Sequence, residues 1–360
     1  MKKINRIFIL SILIGFLFFN PAFAEKLVIK GSTTVLPIAE KISAAYMANN
    51  PGVTIEISGG GSGNGIKAII DGTTDIGNAS RFIKGKELNY GLGRNIYPVP
   101  FRIAYDCIVP VVHPSNPVAD LSVDELKQIY TGEVRNWSQF SGKNHEIAVI
   151  SRDASSGTYE VWEKKIMDKA AIYPGAVLKP GNSEVVTEVS KNPDAIGYIG
   201  LGYYNSLVKM LSVNGIKGNV ATTLDGTYPI SRPLYMFTRG WPCGETLKFI
   251  NYVLEPGLGQ KQVSSEGFVS LYSTASPSAI AENPTLAVIP ETPSNIKMVQ
   301  QFLNTLGYPA GPVDGVKGQK TNAAMIQFKK ENGLPIDLRL SESLITSLTD
   351  KYMEQAGYQE

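Results

Sequence analysis

Three times in this chain an apolar run ends in a cluster of small, hydroxyl-bearing residues, and a helical pattern begins at once. Leu27–Lys30 is followed by Gly31-Ser32-Thr33-Thr34 and then by a helix with Pro37 in its first turn, where proline is tolerated. The alternation Val53-Thr54-Ile55-Glu56-Ile57 runs into "SGGGSGNG" (58–65) and then into Ile66-Lys67-Ala68-Ile69-Ile70. Ala148–Ile150 leads into Ser151-Arg152-Asp153-Ala154-Ser155-Ser156-Gly157-Thr158, ahead of a helix over Tyr159–Lys169. Strand, tight turn and helix form the repeating unit of an α/β fold with mainly parallel strands. Further strand-like runs (Ala104–Val112, Leu234–Thr238) and helical patterns (Val35–Ala48, Val123–Tyr130, Glu245–Leu254) continue the alternation from residue 26 to about 272. Ser122 and Glu125 have the spacing of a capping box at the start of one of these helices. The stretch is long for one hydrophobic core, so two lobes are expected.

The turns also say what such a fold would hold. A helix N-terminus offers unpaired N–H groups and about half a positive charge. Glycine allows close approach to the backbone, and Ser or Thr hydroxyls add donors, so each turn is suited to an anion. Any one of them reads equally well as an ordinary N-cap and turn. Three together, with Arg152 inside one of them, point to an oxyanion. "DIGNASR" adds Ser80 and a second guanidinium, Arg81. Arginine gives the planar, forked grip that oxyanions fit.

Catalytic templates are absent. There is no Walker A run, the glycines of 58–65 do not satisfy G-x-G-x-x-G, and no serine sits in G-x-S-x-G. The two histidines, His113 and His145, lie far apart in loop contexts, which leaves little for a Ser-His-Asp triad or a transition-metal site. The chain carries donors for an oxyanion and little to attack it with, so binding is expected rather than turnover, with no metal and no cofactor.

The N-terminus has the layout of a secretory signal: Lys2, Lys3 and Arg6, then an apolar run from Ile7 to Phe19, then Ala22-Phe23-Ala24 as a cleavage site. No cysteine lies near that site, so residues 1–24 are expected to be removed without lipid anchoring. Without those three cations the formal net charge of +2 becomes −1, so no whole-molecule charge draws the chain to nucleic acid. In an oxidising compartment Cys107 and Cys243 could pair or stay free, and spacing does not decide between them. Residues 273–293, "STASPSAIAENPTLAVIPETP", lose periodicity and read as a linker. Beyond it, over 294–360, Ile296, Val299, Phe302, Leu303 and Leu306 have helix spacing, as do Ala324, Met325 and Phe328, and "ESLITSLTDKYM" makes a third helix. A compact three-helix unit is expected.

"KGSTTVLPIAEKI", "ISGGGSGNGIKAIIDGTTDIGNASR", "SRDASSGTYEVW", "AIGYIGLGYY" and "YPISRPLYMFT" together resemble the periplasmic phosphate-binding proteins of ABC importers, in the family's order, over about 26–272. The resemblance implies a two-lobed periplasmic-binding-protein (type II) fold. Lobe one would take 25–102 and 226–272, and lobe two 103–225, with inorganic phosphate in the cleft and ABC permease subunits in the inner membrane as partners. Carried over by motif, the phosphate-binding residues would be Thr33, Thr34, Ser62, Ser80, Arg81, Arg152, Ser156, Gly157 and Thr158. Some members of the family place an aspartate where Arg81 stands, as the acceptor of phosphate's proton, and others carry Ser-Arg. Without that acceptor, sulfate or another tetrahedral oxyanion is the alternative ligand, and Asp75 and Asp153 are the nearby candidates for the role. The tail, through "VQQFLNTLGY", "GPVDG", "GQKT" and "IQFKKENGL", is similar to the small peptidoglycan-binding domain of cell-wall enzymes. Two departures stand out there: Lys329 takes the place of the usual Gln, and "IDLRL" replaces an Asp-Gly turn. The whole then reads as a periplasmic phosphate receptor tethered to the wall, with a wall-associated scaffold or adhesin as the non-transport alternative.

Overall fold

The computed structural model describes residues 25–94, 96, 98–140, 142–240, 242, 244–273, 291 and 293–355. The expected leader (1–24), Cys243 and linker residues 274–290 lie outside them. In chain order the strands are β1 (Glu25–Gly31), β2 (Val53–Gly60), β3 (Ile76–Ala79), β4 (Pro98–Val112), β5 (Asp120–Leu121), β6 (Ala148–Arg152), β7 (Val177–Lys179), β8 (Ala195–Gly200), β9 (Lys209–Met210), β10 (Ser212–Val213) and β11 (Ser231–Arg239). The helices are α1 (Leu36–Asn49), α2 (Ser62–Asp71), α3 (Gly85–Leu92), α4 (Val123–Thr131), α5 (Gly157–Lys165), α6 (Asn182–Lys191), α7 (Val220–Leu224), α8 (Gly244–Leu254) and α9 (Gly259–Ser265). Three more, α10 (Pro293–Thr305), α11 (Gln319–Glu331) and α12 (Glu342–Gln355), form the C-terminal unit.

The strands run β2-β1-β3-β11-β4-β8-β6-β7, with β9 on β4. Parallel pairs (β1 with β2 and β3, β6 with β7 and β8) lie towards the two ends, and an antiparallel centre of β11, β4 and β8 joins them. β4 carries the join. Its first part pairs with β11 as far as Cys107, and from Ile108 onward it pairs with β8. The cores divide at the same place. Leu27, Ile29, Ile38, Ile42, Phe101, Ala104, Leu234 and Phe249 pack on one side. Cys107, Ile108, Val111, Trp162, Val185, Tyr198 and Ile230 pack on the other. A single long strand shared by two cores is a natural hinge, because few residues must change conformation for the lobes to move. Cys107 is buried as a free thiol, and burial pushes its pKa up to about 12, which keeps it neutral and unreactive.

Local signals account for the elements. Ser122 and Glu125 form the expected capping box on α4, with the Ser122 hydroxyl accepting from Glu125 N and the Glu125 carboxylate accepting from Ser122 N. α5 differs from its expected span. It starts at Gly157 because the Ser156 hydroxyl caps it by accepting from Tyr159 N. It ends at Lys165, before Asp168 and Lys169 take left-handed conformations at φ 49° and 63° that no helix continues through.

In the C-terminal unit the two departures noted in the sequence prove to be one. Lys329 is buried, and its ammonium donates to Asp337 O (3.0 Å), Asp337 Oδ1 (2.7 Å) and Arg339 O (2.8 Å). The three donors of a lysine are thus matched by the acceptors of the "IDLRL" turn. Burial works against the Asp337 charge, but hydrogen bonds from Lys329 and Arg339 outweigh it and hold the carboxyl at about 2, below its usual 3.8. A carboxylate with a depressed folded pKa stabilises above its unfolded pKa and loses that contribution as pH falls. The melting temperature of this unit is therefore expected to drop as pH is lowered from about 4 towards 2. The drop should be smaller in Asp337→Asn, measured by calorimetry, because Asp314 and Glu331, also held below their usual range, still titrate.

Candidate functional site

The three turns converge. β2 continues through Gly60, and one residue, Gly61, separates it from α2, so "SGGGSGNG" is a joint rather than a loop. Gly61 sits at φ 95°, and a Cβ there would lie 2.4 Å from Ser155 Oγ and 2.6 Å from Ser155 O across the cleft. Gly157 makes the second close approach: a Cβ on it would lie 2.4 Å from Ser62 Oγ. The N-termini of α2 and α5 therefore face each other at near contact, one from each side of the hinge. Hydrogen bonds cross the cleft directly, from Gly63 N to Ser155 O (3.2 Å) and from Ser155 Oγ to Gly60 O (3.2 Å).

Around this junction Ser32, Thr34, Ser62, Ser80, Arg152, Ser156 and Thr158 are all buried. Ser62 Oγ accepts from Ser80 N (3.0 Å) and lies 3.3 Å from Ser80 Oγ. Thr34 Oγ1 lies 2.9 Å from Thr158 Oγ1. Arg152 spans the two sides. Its Nε donates to Lys179 O (3.1 Å), and its Nη2 donates to Pro180 O (2.6 Å) and to Thr33 Oγ1 (3.0 Å). Its Nη1 is buried and has no partner among the described residues. Of the five N–H groups of a guanidinium three are spent, and the two left over share one nitrogen. Burial lowers the Arg152 pKa and the Arg232 charge adds to that, with Tyr198, Asp153 and Glu184 offsetting part of it. An anion at Nη1 would relieve this cost.

Of the nine residues named from sequence, Thr33, Thr34, Ser62, Ser80, Arg152, Gly157 and Thr158 meet here, with Ser156 capping α5 alongside. Arg81 is placed differently. Its Nη1 and Nη2 form a fork with Glu87 (2.8 and 2.7 Å), its Nη1 also donates to Phe82 O, and its Nε lies 2.7 Å from Glu160 Oε2. Lys84 reaches the same Glu160 oxygen. Burial opposes the Arg81 charge, but Glu87 and Glu160 outweigh it and its pKa is raised. Arg81, Lys84 and Glu87 belong to one side of the cleft and Glu160 to the other, so this cluster ties the closed lobes together.

Among the described residues, neither candidate acceptor bonds to the hydroxyls of Thr33, Thr34, Ser62, Ser80 or Thr158. Asp75 Oδ2 accepts from Val28 N (2.7 Å), and Asp153 Oδ1 accepts from Ser155 N and Oγ (2.8 and 2.5 Å).

Four residues escaped the sequence reading. Arg232 on β11 and Asp106 on β4 are cross-strand partners and form a buried ion pair, Nε to Oδ2 at 3.1 Å and Nη2 to Oδ2 at 2.9 Å. Burial pushes the Asp106 carboxyl up and the Arg232 guanidinium down, each partly restored by the other. Arg232 also donates to Ser80 O, Thr34 Oγ1 and Thr158 Oγ1 (3.2, 3.3 and 3.0 Å). Asn182 donates to Thr34 Oγ1 (3.1 Å). Tyr198, stacked on Trp162, accepts from Arg152 N through its hydroxyl and so steadies the end of β6. The charge in the otherwise apolar run "YDCIVPVV" was the one available signal.

Comparison with known proteins assigns the fold and the family. Residues 21–256 match the family model of the PBP superfamily domain, and 292–346 match that of a peptidoglycan binding domain. The chain is 30% identical to the phosphate-binding protein PstS of Bacillus subtilis, covering 68% of this chain and 80% of that one. It is 33% identical to its counterpart in Staphylococcus saprophyticus, covering 67% and 79%. Among solved structures, a phosphate ABC transporter substrate-binding protein of Clostridium perfringens, with bound phosphate, superposes with a TM-score of 0.64 at 31% identity, covering 69% of this chain and 100% of that one. These relatives are transport receptors rather than enzymes. The chain belongs to the PBP superfamily, among the phosphate-binding proteins of the PstS family.

Proposed function

We propose that this protein captures inorganic phosphate between its lobes outside the cytoplasmic membrane and delivers it to an ABC permease. The observation that carries the reading is the buried Arg152 guanidinium, which reaches Thr33 Oγ1 through Nη2 and whose Nη1 has no partner among the described residues. Two helix N-termini add partial positive charge at the same point. An oxyanion there would be held by parts of both lobes and would stabilise their closure, and reopening would release it.

Calorimetric titration of the purified protein with phosphate, then with sulfate, tests the proposal. Absence of binding by any oxyanion would overturn it. Sulfate is the second reading, and a specific observation favours testing it. Among the described residues Asp75 bonds to Val28 N, Asp106 to Arg232 and Leu201 N, and Asp153 to Ser155, so none of the three is bonded to the hydroxyls of Thr33, Thr34, Ser62, Ser80 or Thr158. Glu160→Gln should weaken the tie to Arg81 and Lys84 without touching the anion. Phosphate should then dissociate several-fold faster with little change in association rate, read by stopped-flow fluorescence.

The C-terminal unit supports retention at the cell wall. Purified sacculi should pull down the full chain and leave a chain ending before Pro293 in solution.

A further inference from the structure

The C-terminal unit and the first lobe share a core. Met298, Phe302, Leu344 and Leu348 belong to the same buried cluster as Phe101 and Leu234, whereas the second lobe's core takes in none of the unit's described residues. α10 packs against α3, and α12 packs against β4. The burial of α10 shows that this docking is built into the helix. Gln300 is buried and faces into its own unit: its amide oxygen accepts from Gly315 N (3.0 Å) and its nitrogen donates to Thr321 Oγ1 (3.1 Å). Met298 lies two residues earlier, about 200° around the helix, and it is buried too. A helix of a three-helix unit needs one such face, and packing on lobe one accounts for the second. α3 also carries the tie that crosses the cleft. Glu87, in its first turn, forks Arg81 and accepts from Lys84 N (2.9 Å), while Arg81 Nε lies against Glu160 of the other lobe. α3 is eight residues long, too short to be stable by its own hydrogen bonds, so its position depends on what packs on it. Leu88 joins it to Ile66 and Ile69 of α2, and α10 packs on it from the C-terminal unit. Phe82, beside Arg81, packs against both clusters.

We propose that the C-terminal unit is a buttress for α3 and, through Glu87, sets how firmly the closed lobes hold the anion, so that undocking the unit speeds release. The segment that retains the protein at the wall is then also part of its latch. The buttress extends the proposed function, on which it rests. Its shared core is with lobe one, so the unit travels with that lobe and leaves closure unobstructed. Its effect falls on the cross-cleft tie rather than on the groups around Arg152, so it acts on dissociation and not on the capture of the anion.

Release of inorganic phosphate, timed by stopped-flow fluorescence, tests the buttress. The proteins compared are the full chain, a chain ending before Pro293, full-length Met298→Asp and Glu87→Gln, and the shortened chain carrying Glu87→Gln. In the Clostridium perfringens structure, all of which is matched by 69% of this chain, the two lobes stand without such a unit, so the shortened chain is expected to fold. Truncation and Met298→Asp should each speed release by roughly 3- to 30-fold, with little change in association. Glu87→Gln should speed release as well, and truncation on that background should add no more than about twofold, because both act through one contact. Release at the full chain's rate after truncation, or an undiminished effect of truncation in Glu87→Gln, would overturn the buttress while leaving the proposed function standing. A lowered melting temperature without phosphate and an unchanged release rate would mark a purely structural contact and overturn it equally. Should the shortened chain fail to fold, Met298→Asp, alone and combined with Glu87→Gln, decides in the same way. A full chain that binds neither phosphate nor sulfate would overturn the proposed function and the buttress together.

Discussion

Arg152→Ala is expected to weaken phosphate binding by roughly 10²- to 10³-fold, about 3–4 kcal/mol, while the protein stays folded. The variant removes the buried fork whose Nη1 is unspent and also frees Thr33 Oγ1 and the carbonyls of Lys179 and Pro180. The loss should appear mainly as faster dissociation, because the lost contact is deep and desolvated rather than a steering charge at the rim. Arg152→Lys should recover only a small part. An ammonium carries charge but cannot hold Lys179 O, Pro180 O and an anion in one plane. Normal affinity in Arg152→Ala would show that the anion does not sit at this junction.

Gly61→Ala is expected to block closure. Its Cβ would fall 2.6 Å from the Ser155 carbonyl oxygen, a backbone atom that cannot rotate away as a side chain can. The conformation at φ 95° adds strain of about 1–3 kcal/mol for any residue with a Cβ. The lobes should then remain folded but apart. Affinity should fall by roughly 100-fold or more, since closure supplies the contacts from the second lobe. Small-angle scattering should show wild type contracting on addition of phosphate and Gly61→Ala failing to contract. Tight binding with contraction in the variant would mean that the Gly61–Ser155 approach is not needed for closure.

Arg152 was legible because a guanidinium inside a Ser/Gly turn at a helix start is rare and has a direct chemical reading. The glycines of 58–65 were legible as a strand-to-helix junction, but not as a surface where two lobes touch, since nothing local marks the partner Ser155. In the sequence Arg81 is a second guanidinium beside the small-residue turns, after Ser80. The structure separates them: one guanidinium ends on carbonyls and a hydroxyl, the other on two carboxylates. Glu160 decides this, and it lies on the far side of the cleft.

Sequence alone determined the local alphabet of this protein: strands and helices from apolar periodicity, a capping box from Ser122 and Glu125, and anion-ready helix starts from their turn residues. Each depends on interactions within a few positions along the chain. Tertiary structure alone decided which charges are neutralised and which donors are left over. Asp106 and Arg232 meet only through the register of β4 and β11, and Lys329 meets the 337–339 turn only by packing. The physical reason is that hydrogen-bond saturation is a property of a three-dimensional neighbourhood. A residue's donors can be counted from its name, but whether they are spent depends on partners that here lie more than a hundred residues away.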